Sequence, residues 1–276
     1  MESIFATAPA GYHGADMRFL QLLWRLVGVF IHYRRAMKNL RACRASGPPD
    51  PTLEAFRRGD YQTALQGGIA SGDAYFQGAM RMQLGQYGEA EELLKQARAA
   101  QTEPKLAALA NVTLGDLYVA QRRYEEAMKC FNAALSAWSG RGSTHRSVAE
   151  LWLRRGDNPA EALRWARLAV EKERTESGVT EETKAINLAE DQATLAWAIA
   201  VNSRNAAEVK RIDSEIAMPA RTPVSSLAQI HCHLGAAYTI LGDSTQSTGH
   251  FEYAAKTDPN GLWGRTAQSM MSAAHA

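Results

Sequence analysis

Reactive side chains are thinly spread along this chain of 276 residues, and the tightest grouping is His231-Cys232-His233. These residue types can hold a metal ion. Neighbours in a helix, however, point about 100° apart, so the three do not converge easily on one ion. A packed histidine is the expectation here. The three cysteines, Cys43, Cys130 and Cys232, share no spacing and are odd in number. That argues against a disulfide framework and fits a reducing compartment. Cys130 lies beside Phe131 and reads as a small apolar filler. Trp152 and Trp165 could stack a planar ligand, although core packing is the expected use. No phosphate loop, dinucleotide fingerprint, serine-nucleophile elbow or zinc spacing occurs. The expectation is a protein that is no enzyme and holds no cofactor or metal.

Composition points to helices. Apolar residues make up 46% and charged residues 22%, which suits a folded chain. Alanine is abundant, prolines number only nine, and runs of Val, Ile and Thr are nearly missing. That balance favours helix over strand. The net charge of +2 argues against a dedicated nucleic-acid binder.

The elements are marked by internal similarity. Residues 114–118 read LGDLY, and residues 122–135 read RRYEEAMKCFNAAL. A second stretch repeats the pattern with LGAAY at 234–238, then Gly242, Phe251, Ala254 and Pro259. Leu114, Gly115, Tyr118, Ala127, Phe131 and Ala134 sit at spacings that resemble the tetratricopeptide repeat. Gly235 occupies the position of Gly115, and Ser247 replaces the alanine of the helix crossing. Partial copies cover residues 71–104, 145–174 and 188–217, with a half-match over 51–70. Ala64 precedes Ala90 by 26 residues, against about 34 in the repeat, so the first unit reads as short or capping. The resemblance implies an all-α array of antiparallel helix pairs wound into a right-handed superhelix. Neither helix of a pair can bury its apolar face alone, so the pairs must stack. Gly115 and Ala127 would lie where two helices cross, with Tyr118 and Phe131 above and below. The acidic runs Glu89, Glu91, Glu92 and Glu125, Glu126 begin second helices, where solvated carboxylates complement the helix dipole. The domain expectation is a flexible stretch over 1–15, a basic helix over 16–46, five or six irregular repeats over 51–261, and a tail or capping helix over 262–276.

The same resemblance implies a partner-binding groove on the concave face, lined by the first helix of each pair. Carried over by position, that face holds Tyr75, Ala79 and Met82, then Val112, Asp116 and Val119, then Arg146, Glu150 and Leu153, and late in the chain Cys232, Ala236 and Thr239. Relatives that bind chaperone tails clamp a carboxylate with Lys and Asn, and this chain lacks that set. Its mixed apolar surface suits an amphipathic helix or peptide. The expected function is a protein-interaction scaffold or adaptor. The alternative is a regulatory or sensor component of a signalling or transcription pathway.

Residues 16–45 stand apart. Seven cations (Arg18, Arg25, Arg34, Arg35, Lys38, Arg41, Arg44) face one anion, Asp16. Asp16 is positioned as an N-cap, and Gly47-Pro48-Pro49 ends the helix. Phe19–Tyr33 would be roughly 22 Å long as helix, shorter than a hydrocarbon core of about 30 Å. Arg25 adds a further cost to spanning. No cleavable signal peptide is read, because the first fifteen residues lack Lys and Arg. Docking on the repeats, self-association and an anionic membrane surface remain open for this helix, with Arg18, Trp24, Arg25, Phe30, Arg34 and Arg35 as the residues in question. The expected location is cytoplasmic, with a peripheral membrane position open.

Overall fold

The computed structural model describes residues 50–274, which form thirteen helices and no strand. Twelve of them make six consecutive pairs. These are α1 (Pro51–Arg57) with α2 (Tyr61–Ser71), α3 (Ala74–Gln83) with α4 (Tyr87–Ala100), and α5 (Pro104–Ala120) with α6 (Tyr124–Ala137). Then follow α7 (Gly142–Arg155) with α8 (Pro159–Thr175), α9 (Glu181–Ser203) with α10 (Ala206–Glu215), and α11 (Val224–Leu241) with α12 (Ser244–Thr257). A single helix, α13 (Leu262–Ala274), ends the array. From α3 onward, the first helix of each pair also packs on the first helix of the next. This is an all-helical solenoid.

Local sequence starts these helices where they begin. Asp60, Asp73, Asn158, Asn205 and Asp243 each accept a backbone N–H from the first turn that follows. Such caps satisfy donors that have no partner inside the helix. Pairs then close on small residues. A Cβ built on Gly115 would fall 2.8 Å from Phe131 Cδ1, so the ring needs the space that glycine leaves. Gly235 does the same for Phe251. Ala127 and Phe131 are fully buried. Ser247 serves as the small crossing residue because its hydroxyl donates to Gly235 O at 3.1 Å, which satisfies it inside the contact. Trp152 and Trp165 pack beside Ala149, Ala162 and Ala166.

One expectation is revised. Glu91 is more than a solvated dipole partner. Its carboxylate accepts from Tyr118 Oη at 2.9 Å and pairs with Arg123 at 2.7 Å, tying α4 to the next pair. Burial alone would raise this carboxyl. Hydrogen bonds from Arg123, Lys95 and Tyr118 outweigh it and hold the pKa at about 2.

The two ends of the array meet. Tyr61 Oη donates to Asp258 Oδ1 at 2.8 Å in a buried contact between residues 197 positions apart. The backbone N–H of Leu262 donates to Gln83 Oε1 at 3.1 Å, and Arg265 donates to Gln83 O at 2.8 Å. Arg221 adds an ion pair to Glu54 at 3.7 Å. Helix α13 thus packs on α11 and α12 and also bonds to the end of α3. Among the described residues, no helix is long and apolar enough to cross a membrane.

Candidate functional site

Because the ends meet, the inner face of the array encloses a chamber of about 240 Å³. Helix α3 supplies Met82 and Gln83, and α5 supplies Asp116, Val119 and Ala120. Helix α7 supplies Arg146, Glu150 and Arg154, spaced by single turns so that they share one face, with Ser147 one turn before Glu150 on the same side. Leu262, Trp263 and Thr266 of α13 close the opposite side, with Tyr87 and Gln229 completing the wall.

The wall is densely charged. Arg146 lies between two carboxylates of α9, Glu190 at 2.6 Å and Asp191 at 2.5 Å. Arg154 donates to Glu150 Oε1 at 2.8 Å and lies over the Trp263 ring, 5.2 Å from its centre. Burial disfavours charge on Arg146, but Glu190 and Asp191 outweigh it and keep the guanidinium ionised. Asp191 is driven the other way. Burial raises its carboxyl to about 6 despite Arg146. Asp116 rises to about 7, through burial first and the charge of Glu150 second, with the Ser147 hydroxyl and Arg146 opposing. Behind this wall His233 is fully buried, set between Trp197 and the edge of Trp263. Burial, with Arg154 and Arg146 nearby, holds its pKa well below the usual imidazole range. Burial also pushes the Cys232 thiol up to about 12, so it is no nucleophile at neutral pH.

Met82, Asp116, Val119, Arg146 and Glu150 line the chamber. Tyr75, Ala79 and Val112 do not. Tyr75 packs on the central core and its hydroxyl meets Thr113 Oγ1 at 3.2 Å. Ala79 rests on the cluster of Ala55, Tyr61 and Leu65. Val112 is buried with Ala108, Ala134 and Trp138. Of the later groove positions, Cys232 and Ala236 are buried, and Thr239 is exposed with its hydroxyl turned to Gly235 O. Arg18, Trp24, Arg25, Phe30, Arg34 and Arg35 lie outside the described residues. His231 and His233 diverge as helical neighbours must. His231 Nδ1 meets His250 Nδ1 at 2.9 Å, whereas His233 Nδ1 meets Thr194 Oγ1 at 3.0 Å. Sequence reasoning missed Arg154, Trp263 and Thr266. A signal for Arg154 existed, one turn beyond Glu150 on α7. None existed for the α13 residues, whose place depends on the ends meeting.

Comparison with known families adds a direct match. The family profile described as "Tetratricopeptide repeat" matches residues 80–142 and 112–177. Residues 80–177 carry tetratricopeptide repeats. No curated protein matches the chain. Among solved structures, one similar chain is YrrB, described as a TPR protein with an unusual peptide-binding site. It shares 16% sequence identity over 80% of this chain and 98% of that one, with a TM-score of 0.34. Tetratricopeptide modules are generally non-catalytic, and the repeat architecture here is that of a protein-interaction scaffold.

Asp116 gives the chamber a measurable signature. Unfolded, its carboxyl titrates near 3.9; folded, near 7. Between those values the folded chain holds a proton that the unfolded chain has released. The carboxylate therefore costs stability that grows from about pH 4 and levels off above about pH 7. The shift alone would correspond to about 4 kcal/mol; contact with the chamber's solvent reduces this to roughly 1–2 kcal/mol. Asp116→Asn should raise the denaturation midpoint at pH 8 and leave it nearly unchanged at pH 4. A gain that does not vary with pH would contradict the assignment.

Proposed function

We propose that this chain is a non-catalytic scaffold that holds a peptide or amphipathic helix of another protein against the inner face of its repeats. The observation that carries the reading is the convergence of α3, α5, α7, α11 and α13 on one enclosed, charged space. Repeat arrays create such surfaces by stacking one helix face beside the next. Buried charge is a costly way to fill a core, so its concentration on this face suits recognition. The buried free thiols Cys130 and Cys232 fit the cytoplasm as its location.

The test is selection of binders from a random displayed-peptide library against the full chain, followed by affinity measurement on Ala120→Trp. Ala120 lines the chamber and is not fully buried, so a larger side chain there fills the space without entering the core. Val112→Asp is a poorer probe, since Val112 packs inside its helix pair. Selected peptides should bind Ala120→Trp at least tenfold more weakly, with the helical circular dichroism retained. Unchanged affinity would remove the inner face as the site. The seven cations of residues 16–45 support a second element of the proposal, contact with an anionic membrane surface. Its expected sign is flotation of the full chain with anionic but not neutral vesicles, abolished by high salt. Absence of flotation with both would remove that element.

A further inference from the structure

We propose that the end of α8 is a proton-operated latch, in which one proton shared by Glu173 and Glu176 pins the turn between α8 and α9, and loss of that proton releases the turn.

Unpaired oxygens are the first argument. Three carboxyls gather where α8 packs on its neighbours: Glu173 and Glu176 at the end of α8, and Asp191 on α9. Glu173 and Asp191 are fully buried. Asn187 donates to Glu173 Oε1 at 3.0 Å, and Arg146 donates to Asp191 Oδ1 at 2.5 Å. Glu173 Oε2, both carboxyl oxygens of Glu176, and Asp191 Oδ2 are buried with no hydrogen-bond partner. Three ionised carboxylates in that setting would be costly.

The packed helices do not supply the missing positive charge. From α7 comes Arg146, already held by Glu190 and Asp191. From α9 come those two carboxylates and the neutral Asn187. At the start of α7, Gly142 lies so close that a Cβ would fall 2.8 Å from Glu173 Oε2. Among the described residues, no three His, Cys, Asp or Glu side chains are placed to hold a metal ion. A proton fits instead. Protonated, Glu173 donates to Glu176. Burial first, then the charges of Asp191 and Glu176, raise the Glu173 carboxyl to about 7 against the opposing bond from Asn187.

Glu176 is placed to act as the anchor of the turn. Helix α8 ends at Thr175, and Glu176 leaves it with extended backbone. Ser177, Gly178 and Thr180 are exposed, and Val179 is half-buried. When both carboxyls ionise they repel each other, and Glu176 gains hydration by swinging out with this exposed turn. The change reaches the chamber wall, because Asp191 beside the pair also holds Arg146.

With the turn released, Glu173 should titrate near the free value of about 4.3. Docked, it titrates at about 7. Between those values the docked form keeps a proton that the released form gives up. Docking is therefore fully favourable below about pH 4, weakens as pH rises, and levels off above about pH 7. The experiment follows native-state hydrogen exchange of the full-length chain by NMR at pH 5 and pH 8, expressed as protection relative to an unstructured peptide at the same pH. The reporters are the amides of Glu176 and Thr183, which bond to Glu173 O at 3.2 Å and Thr180 Oγ1 at 3.1 Å. The Thr63 amide, bonded to Asp60 at 3.1 Å on α2, is the reference. Protection at the reporters should fall about tenfold or more from pH 5 to pH 8, with Thr63 nearly unchanged. Glu173→Gln keeps an N–H donor toward Glu176 at every pH, so it should hold the pH 5 protection at pH 8. Glu176→Gln, which donates the other way, is the second variant with the same expectation. Constant protection in the parent chain, an equal fall at Thr63, or a fall that survives in both glutamine variants would overturn the proposal.

Discussion

Arg146→Ala should lower the stability of the folded chain by roughly 3–5 kcal/mol, the range found when one member of a buried ion pair is removed. Arg146 neutralises two carboxylates at once, and Asp191 is fully buried while Glu190 is nearly so. Without the guanidinium, both would face the low-dielectric interior unpaired. Asp191 already sits near 6 with Arg146 in place. Removing the cation raises it further, so the folded variant takes up protons that the unfolded chain does not. By linkage, the loss must therefore be largest at pH 8 and smaller at pH 5. Adding Asp191→Asn to the alanine variant should recover part of the stability. Denaturant unfolding of the three proteins at both pH values checks this. An equal loss at pH 5 and pH 8 would mean that Arg146 acts through packing alone.

The second large effect is expected at Gly115. A Cβ there lies 2.8 Å from Phe131 Cδ1 and 2.9 Å from Cζ, and Phe131 is fully buried. The ring has no room to retreat, because Leu114, Leu117 and Ala127 enclose the same cluster. Gly115→Leu should cost about 3 kcal/mol or more, at or beyond the upper end for overpacked cores. Gly88→Ala is the matched control. It sits on α4 with open space around a new Cβ, and should stabilise by about 0.5–1 kcal/mol. The linear extrapolation of both variants against the parent chain checks the pair. In an open array the damage would stay near the altered repeat. Here the contacts Tyr61–Asp258 and Gln83–Leu262 join α2 and α3 to the end of α12 and the start of α13, so unfolding should remain a single transition.

Much of the repeat logic was legible in the residues. Leu114, Gly115, Tyr118, Ala127 and Phe131 announced a helix crossing because contact inside a pair depends only on residues a fixed distance apart. Ser247 was legible for the same reason, being small at the equivalent position. Helical geometry was enough to separate His231 from His233. The acidic run at Glu91 was read too locally. Its partners Tyr118 and Arg123 lie in the next pair, and a carboxylate on a helix carries no mark of which neighbour it will meet.

What only the tertiary structure decided lies at longer range. Arg146 meets Glu190 and Asp191 because α7 packs on α9, with a buried geometry that no spacing encodes. Trp263 reaches the inner face, and Tyr61 reaches Asp258, because small rotations between successive pairs add up until the ends touch. The sequence determined each pair through crossing residues, caps and apolar periodicity, all of which act over a few turns. The enclosed chamber depends on the sum of those rotations over six pairs, and a sum of small angles is a property of the packed array rather than of any residue in it.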